Sequence, residues 1–106
     1  MTAASIEEQP IEAPSDTAPH LLVVDDDRRI RDLLARYLRE NGFRVTVSAD
    51  AGEARNALRG LAFDLIILDI MMPGESGLSL AETLRGESDV PILMLTARSE
   101  PESRVQ

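Results

Sequence analysis

Asp25-Asp26-Asp27, Asp69 and Thr96 are the residues of this chain whose types and placement could do chemistry. Each follows a short aliphatic run: Leu21 to Val24 before the aspartates, Leu65 to Leu68 before Asp69, and Ile92 to Leu95 before Thr96. Carboxylates gathered within a few ångströms repel one another, which raises their pKa values unless a cation sits among them. The chain has no cysteine, and its one histidine, His20, is not beside these acids, so hard oxygen ligands with space for water suit Mg²⁺ rather than a transition metal. A carboxylate beside Mg²⁺ can attack a phosphoryl group and become an acyl phosphate, while the metal neutralises charge on the transferring oxygens. The Thr96 hydroxyl could donate a hydrogen bond to the same group. The plainer reading has the aspartate run capping a helix and Asp69 starting a turn. Each ending alone is weak evidence; their coincidence at three strand ends favours a site.

Four strands and their intervening helices must position these residues. Leu21 to Val24 reads as a buried strand, with His20 as a solvated residue at its start. Ile30, Leu33, Leu34, Tyr37 and Leu38 give the apolar stripe of a helix that starts near Asp27 and stops at Asn41-Gly42. Val45 to Ser48 alternates apolar and polar, as an edge strand with one wet face does, and an Ala-rich helix follows from about Ala51 to Gly60. Leu65 to Leu68 is the central strand. Met71 and Met72 are packing and loop residues, Gly74 and Gly77 supply backbone freedom, and Ser76 caps a helix ending near Gly86. Pro91 to Leu95 is the fourth strand, and a further helix can begin near Pro101. Strands alternating with helices imply a parallel sheet with helices on both faces, whose ligands bind at the carboxyl ends of the strands.

Composition narrows the function classes. With 106 residues and 43% hydrophobic content, the chain has room for one globular domain. Residues 1 to 19 hold Glu7, Glu8, Glu12 and Asp16 among prolines with no basic residue, and read as a disordered acidic tail. A net charge of -8 argues against this segment gripping nucleic acid. No apolar run is long enough to span a bilayer, and no signal peptide is evident, so a cytoplasmic setting is expected. No glycine-rich dinucleotide or P-loop motif is present.

LLVVDDD, LIILDIMMPGESG and PILMLTAR resemble the leading motifs of bacterial response-regulator receiver domains, and are most similar to the branch in which the receiver precedes a winged-helix DNA-binding domain. The resemblance covers roughly residues 20 to 98. It implies an α/β, flavodoxin-like, doubly wound parallel sheet in strand order 2-1-3-4. It also implies Asp69 as phosphoacceptor, Mg²⁺ held by Asp25, Asp26, Asp69 and the backbone carbonyl of Met71, and Thr96 as the switch hydroxyl. The implied partner is a sensor histidine kinase, and the implied output is transcription through a DNA-binding domain beyond this segment. Relatives continue into a fifth strand ending in a lysine and a fifth helix, whereas this chain stops at Gln106 and contains no lysine. Phosphoryl charge would then be less well neutralised, and the fourth strand would be an apolar edge inviting a second copy by edge pairing or swapping. The alternatives are a Mg²⁺-dependent phosphatase or phosphotransferase with an aspartyl nucleophile, and a binding-only pseudo-receiver. Met71 stands where phosphatases of the haloacid-dehalogenase type need a second aspartate.

Overall fold

The strand runs and helical stripes assemble into a parallel sheet with helices on both faces. The computed structural model describes residues 16–95, so Thr96 and the helix expected near Pro101 lie outside the described residues. The elements are β1 His20–Val24, α1 Arg28–Glu40, β2 Arg44–Ser48, α2 Ala51–Gly60, β3 Leu65–Asp69, α3 Gly77–Glu87 and β4 Ile92–Leu95. All strand pairs are parallel and the order is β2-β1-β3-β4, as expected. Successive crossovers therefore run outward in opposite directions from the β1–β3 pair, and the carboxyl ends of those two strands flank the switch point of the sheet.

The register places Leu21, Val23, Val45, Leu65 and Ile67 on one face and Leu22, Val24, Ile66 and Leu68 on the other. On the second face, Leu22, Val24, Ile66 and Leu68 pack with Ala51 and Ala54 of α2 and Leu80, Ala81 and Leu84 of α3. Each fully buried leucine or isoleucine there contributes about 1.5–3 kcal/mol of transfer free energy. The first face holds a smaller cluster of Val23, Ala35, Val45 and Ile67 beneath α1.

Local chemistry sets the helix ends. Asp27 Oδ1 caps α1 by accepting from the amides of Arg29 and Ile30 at 2.9 and 3.4 Å. The helix stops where Asn41 donates back to Tyr37 and Leu38 carbonyls and Gly42 adopts φ +93°. Its buried line differs from the expected stripe. Ala35 is buried and Leu34 and Leu38 pack on the smaller cluster, but Leu33 and Tyr37 are 67% and 60% exposed. The helix packs on β1 and β2, and the flank that carries Leu33 and Tyr37 is exposed.

Two further expectations need correction. β2 is an edge strand among the described residues, yet Ser48 is buried and Val47 is exposed. Helices lie on both sides of this sheet, so alternation does not assign wet and dry faces: Ser48 shares the face covered by α2, and Val47 lies beyond the cover of α1. His20 is not simply solvated, since its Nε2 lies 2.8 Å from Thr46 Oγ1 and its ring centroid 4.5 Å from that of Phe63. Ala18 and Pro19, in the stretch expected as tail, accept hydrogen bonds from Arg44.

Burial, and then the Arg44 charge, hold the His20 pKa below its ordinary value, outweighing the Ala62 carbonyl and Asp64. A proton on His20 therefore disfavours the folded state. The contribution is intact above about pH 6.5 and is lost as pH falls through that value toward the lowered folded pKa. Thermal melts from pH 8 to pH 5 are expected to diverge from those of His20→Phe as pH falls, with the parent losing more. A constant difference across that range would remove His20 as the cause.

Candidate functional site

Asp25 and Asp69 each stand at the end of a buried strand. Val24 is in register with Leu68, and Asp69 with Leu95. The ladder continues one step beyond β1, where the Asp25 amide donates to the Ser48 carbonyl at 3.1 Å. Asp25 and Asp69 are thus set side by side across the β1–β3 pair. Both are buried, at 2% and 5% exposure, whereas Asp26 is exposed.

The two strand ends turn in the same way. Asp25 Oδ1 accepts from the Asp27 amide at 2.8 Å, and Asp69 Oδ1 accepts from the Met71 amide at 2.8 Å. These local bonds fold each chain back and fix each carboxylate before any ligand arrives. Asp25, Asp26 and Asp69 can each offer a carboxylate oxygen such that all three atoms lie within 4.8 Å of one another.

Burial raises the Asp25 pKa, and the charges of Asp69 and Asp26 raise it further, while the Asp27 amide acts against them. Among the described residues the ion pairs are Arg28–Asp32, Arg36–Glu40 and Arg55–Glu75, and none reaches this cluster. The Arg31 guanidinium donates to the Asp25 backbone carbonyl at 3.0 Å, but among the described residues no cation pairs with either buried carboxylate, and a like-charge pair opening to water through Asp26 fits a hard cation by both charge and donor type. The cluster could hold a metal ion.

The loop after Asp69 is held from several sides. Met72 is buried in the core cluster with Ala51 and Ala54, while Met71 is 54% exposed. Gly74 turns the chain at φ +75°, and Ser76 Oγ caps α3 through the Ser79 amide at 3.1 Å. Gly77 is needed for proximity and not for backbone freedom. A β-carbon there would lie 2.2 Å from the Asp69 carbonyl oxygen and 2.6 Å from Ile70 Cα. Sequence reasoning also missed the Arg55–Glu75 ion pair, whose partners are 20 positions apart and share no local pattern. Ser48 Oγ, buried without a hydrogen-bond partner among the described residues, carried no signal beyond a polar residue in an alternating run.

A doubly wound parallel sheet with an acidic cluster at the carboxyl ends of its two central strands defines the class. The family model described as "Response regulator receiver domain" matches residues 21–106, and the chain belongs to that family. It is 56% identical over 92 residues to Protein PetR of Rhodobacter capsulatus, covering 87% of this chain and 39% of that protein. With the transcriptional activator protein PfeR of Pseudomonas aeruginosa it shares 43% identity, over 83% of this chain and 29% of that one. The chain thus spans about two fifths or less of these curated relatives. Among solved structures it is similar to response regulator TrrA from Thermotoga maritima in complex with Mg(2+)-BeF, with TM-score 0.72 and 40% identity over 80% of this chain and 75% of that one. Vibrio cholerae chemotaxis protein CheY4 gives TM-score 0.74 and 34% identity over 84% and 77%.

Proposed function

We propose that this segment is the phosphoacceptor module of a transcription-regulating response regulator, taking a phosphoryl group from a sensor histidine kinase onto Asp69 with Mg²⁺ bound. The observation that carries this reading is the buried Asp25–Asp69 pair, whose oxygens converge with that of Asp26 within 4.8 Å. Asp25, Asp26, Asp69 and the Met71 carbonyl would hold Mg²⁺, which supplies charge neutralisation for the transferring oxygens. Asp69 Oδ1 is engaged by the Met71 amide, which leaves Oδ2 to attack phosphorus. As the new O–P bond forms, the P–N bond of the phosphohistidine breaks and its electron pair returns to the imidazole, which takes up a proton. Thr96, as switch hydroxyl, follows Leu95, the register partner of Asp69, and that placement supports its role. The DNA-binding output would belong to the greater length of the relatives, and the setting would be cytoplasmic; among the described residues no helix is long and apolar enough to cross a membrane.

Incubation with Mg²⁺ and a small phosphodonor is expected to give an acyl-phosphate adduct by intact mass that is absent from Asp69→Asn. No adduct with Mg²⁺ demonstrably bound would leave a binding-only module, and rapid turnover of a phosphate ester would indicate a phosphatase. β4 is the other edge among the described residues, and Leu93 on it is 51% exposed. A second copy is its proposed partner, by edge pairing or swapping. Sedimentation is expected to show a concentration-dependent dimer; a monodisperse monomer at all concentrations would overturn that part.

A further inference from the structure

Between Asp69 and α3 the chain must hold the Met71 carbonyl still while Met71, Pro73 and Gly74 all face water. Met72 anchors the near half of this loop in the core. Glu75 anchors the far half, where its Oε2 accepts from Arg55 Nη2 at 2.6 Å and from the Ser79 hydroxyl at 3.2 Å. Arg55 projects from α2 one residue after Ala54, which is buried in the same cluster as Met72. The guanidinium therefore starts from a fixed backbone and ends on the loop, joining two elements that are distant in sequence. Its contact is short and charge-assisted, the strong kind of hydrogen bond.

We propose that the Arg55–Glu75 ion pair is a positioning clamp, which sets the cation affinity of the Asp25, Asp26 and Asp69 site by fixing the loop that presents the Met71 carbonyl. This rests on the proposed function, which makes that carbonyl a ligand. Among the described residues Arg55 pairs with Glu75, and Glu75 with Arg55 and Ser79, so neither is a ligand of the proposed cation and both act through the loop. Both side chains are about one-third exposed, at 33% and 30%. Pairs so placed add little to global stability, so metal affinity and not melting temperature should report the clamp.

Calorimetric titration with MgCl₂ tests this on the full chain. Glu75→Gln and Arg55→Gln are each expected to weaken Mg²⁺ binding by about three- to tenfold, less than the roughly 10–100-fold typical of residues that hydrogen-bond a metal ligand directly, because the clamp acts through the loop. The charge-reversed double variant Arg55→Glu/Glu75→Arg is expected to recover most of that affinity, with thermal midpoints nearly unchanged throughout. Single variants that bind Mg²⁺ like the parent, or a double variant no better than the singles, would overturn the clamp. If the parent itself takes up no Mg²⁺, the metal part of the proposed function falls, and hydrogen exchange at the Met71 amide decides the positioning role. Faster exchange in Glu75→Gln, reversed in the double variant, would support it, and unchanged exchange would overturn it.

Discussion

Gly77→Ala is expected to lower the thermal midpoint by about 10–20 °C, the shift that follows from about 2–3 kcal/mol of overpacking in a domain of this size. The added methyl would meet backbone on every near side: the Asp69 carbonyl oxygen at 2.2 Å, Ile70 Cα at 2.6 Å and Asp69 C at 2.8 Å. No side chain can swing aside to make room, so either the start of α3 or the end of β3 must move. Either movement disturbs the junction between Asp69 and α3, so the same variant is expected to weaken cation binding. Gly86→Ala is the control: it lies within α3 with open space around the position, so alanine should stabilise by about 0.5–1 kcal/mol. Melting curves of the two variants check both statements, and a Gly77→Ala midpoint within a few degrees of the parent would contradict the close approach.

Asp25→Asn is expected to reverse sign with the metal. Burial and the neighbouring Asp69 and Asp26 charges raise the Asp25 pKa. The folded state therefore favours the protonated form: its advantage is full below about pH 4, near the ordinary carboxylate value, and is lost as pH rises through the raised folded value. At neutral pH and without Mg²⁺, the ionised group is a burden that asparagine removes, while the Oδ1 acceptor for the Asp27 amide survives. The variant should then melt above the parent. Saturating Mg²⁺ should invert the order, because a ligand at a hundredfold its Kd stabilises the parent by about 2.7 kcal/mol while the variant has lost a charged ligand. Calorimetric scans with and without Mg²⁺ check the crossing. A variant that melts below the parent in both conditions would show that Asp25 is not under repulsion.

The strand ends were the most legible part of the chain. Apolar runs ending in Asp25 and Asp69 announced both the sheet and the cluster, because a strand buried on both faces leaves few places for a carboxylate except its exit. Asp27, Asn41-Gly42 and Ser76 likewise marked helix ends through chemistry confined to three or four neighbouring residues. What escaped was set by tertiary placement. The outward flank of α1 with Leu33 and Tyr37, the buried Ser48, the tilted ring contact of His20 with Phe63 and the reach of Arg55 to Glu75 all depend on what another element covers. Gly77 was visible as a glycine but not as a contact, since its neighbour is the backbone of β3.

The pairing of Val24 with Leu68, which sets Asp25 beside Asp69, gives this site an uneven tolerance to change. Substitutions within β1 alter packing but leave the alignment alone, so the strand can drift in sequence while the two carboxylates stay adjacent. A single-residue insertion or deletion in β1 or β3 is different in kind. It carries one aspartate about 3.3 Å along the strand and turns it to the opposite face, along with every side chain that follows. The lengths of these two strands should therefore be held far more rigidly through descent than their composition, while the surface turns joining helices to strands remain free to lengthen.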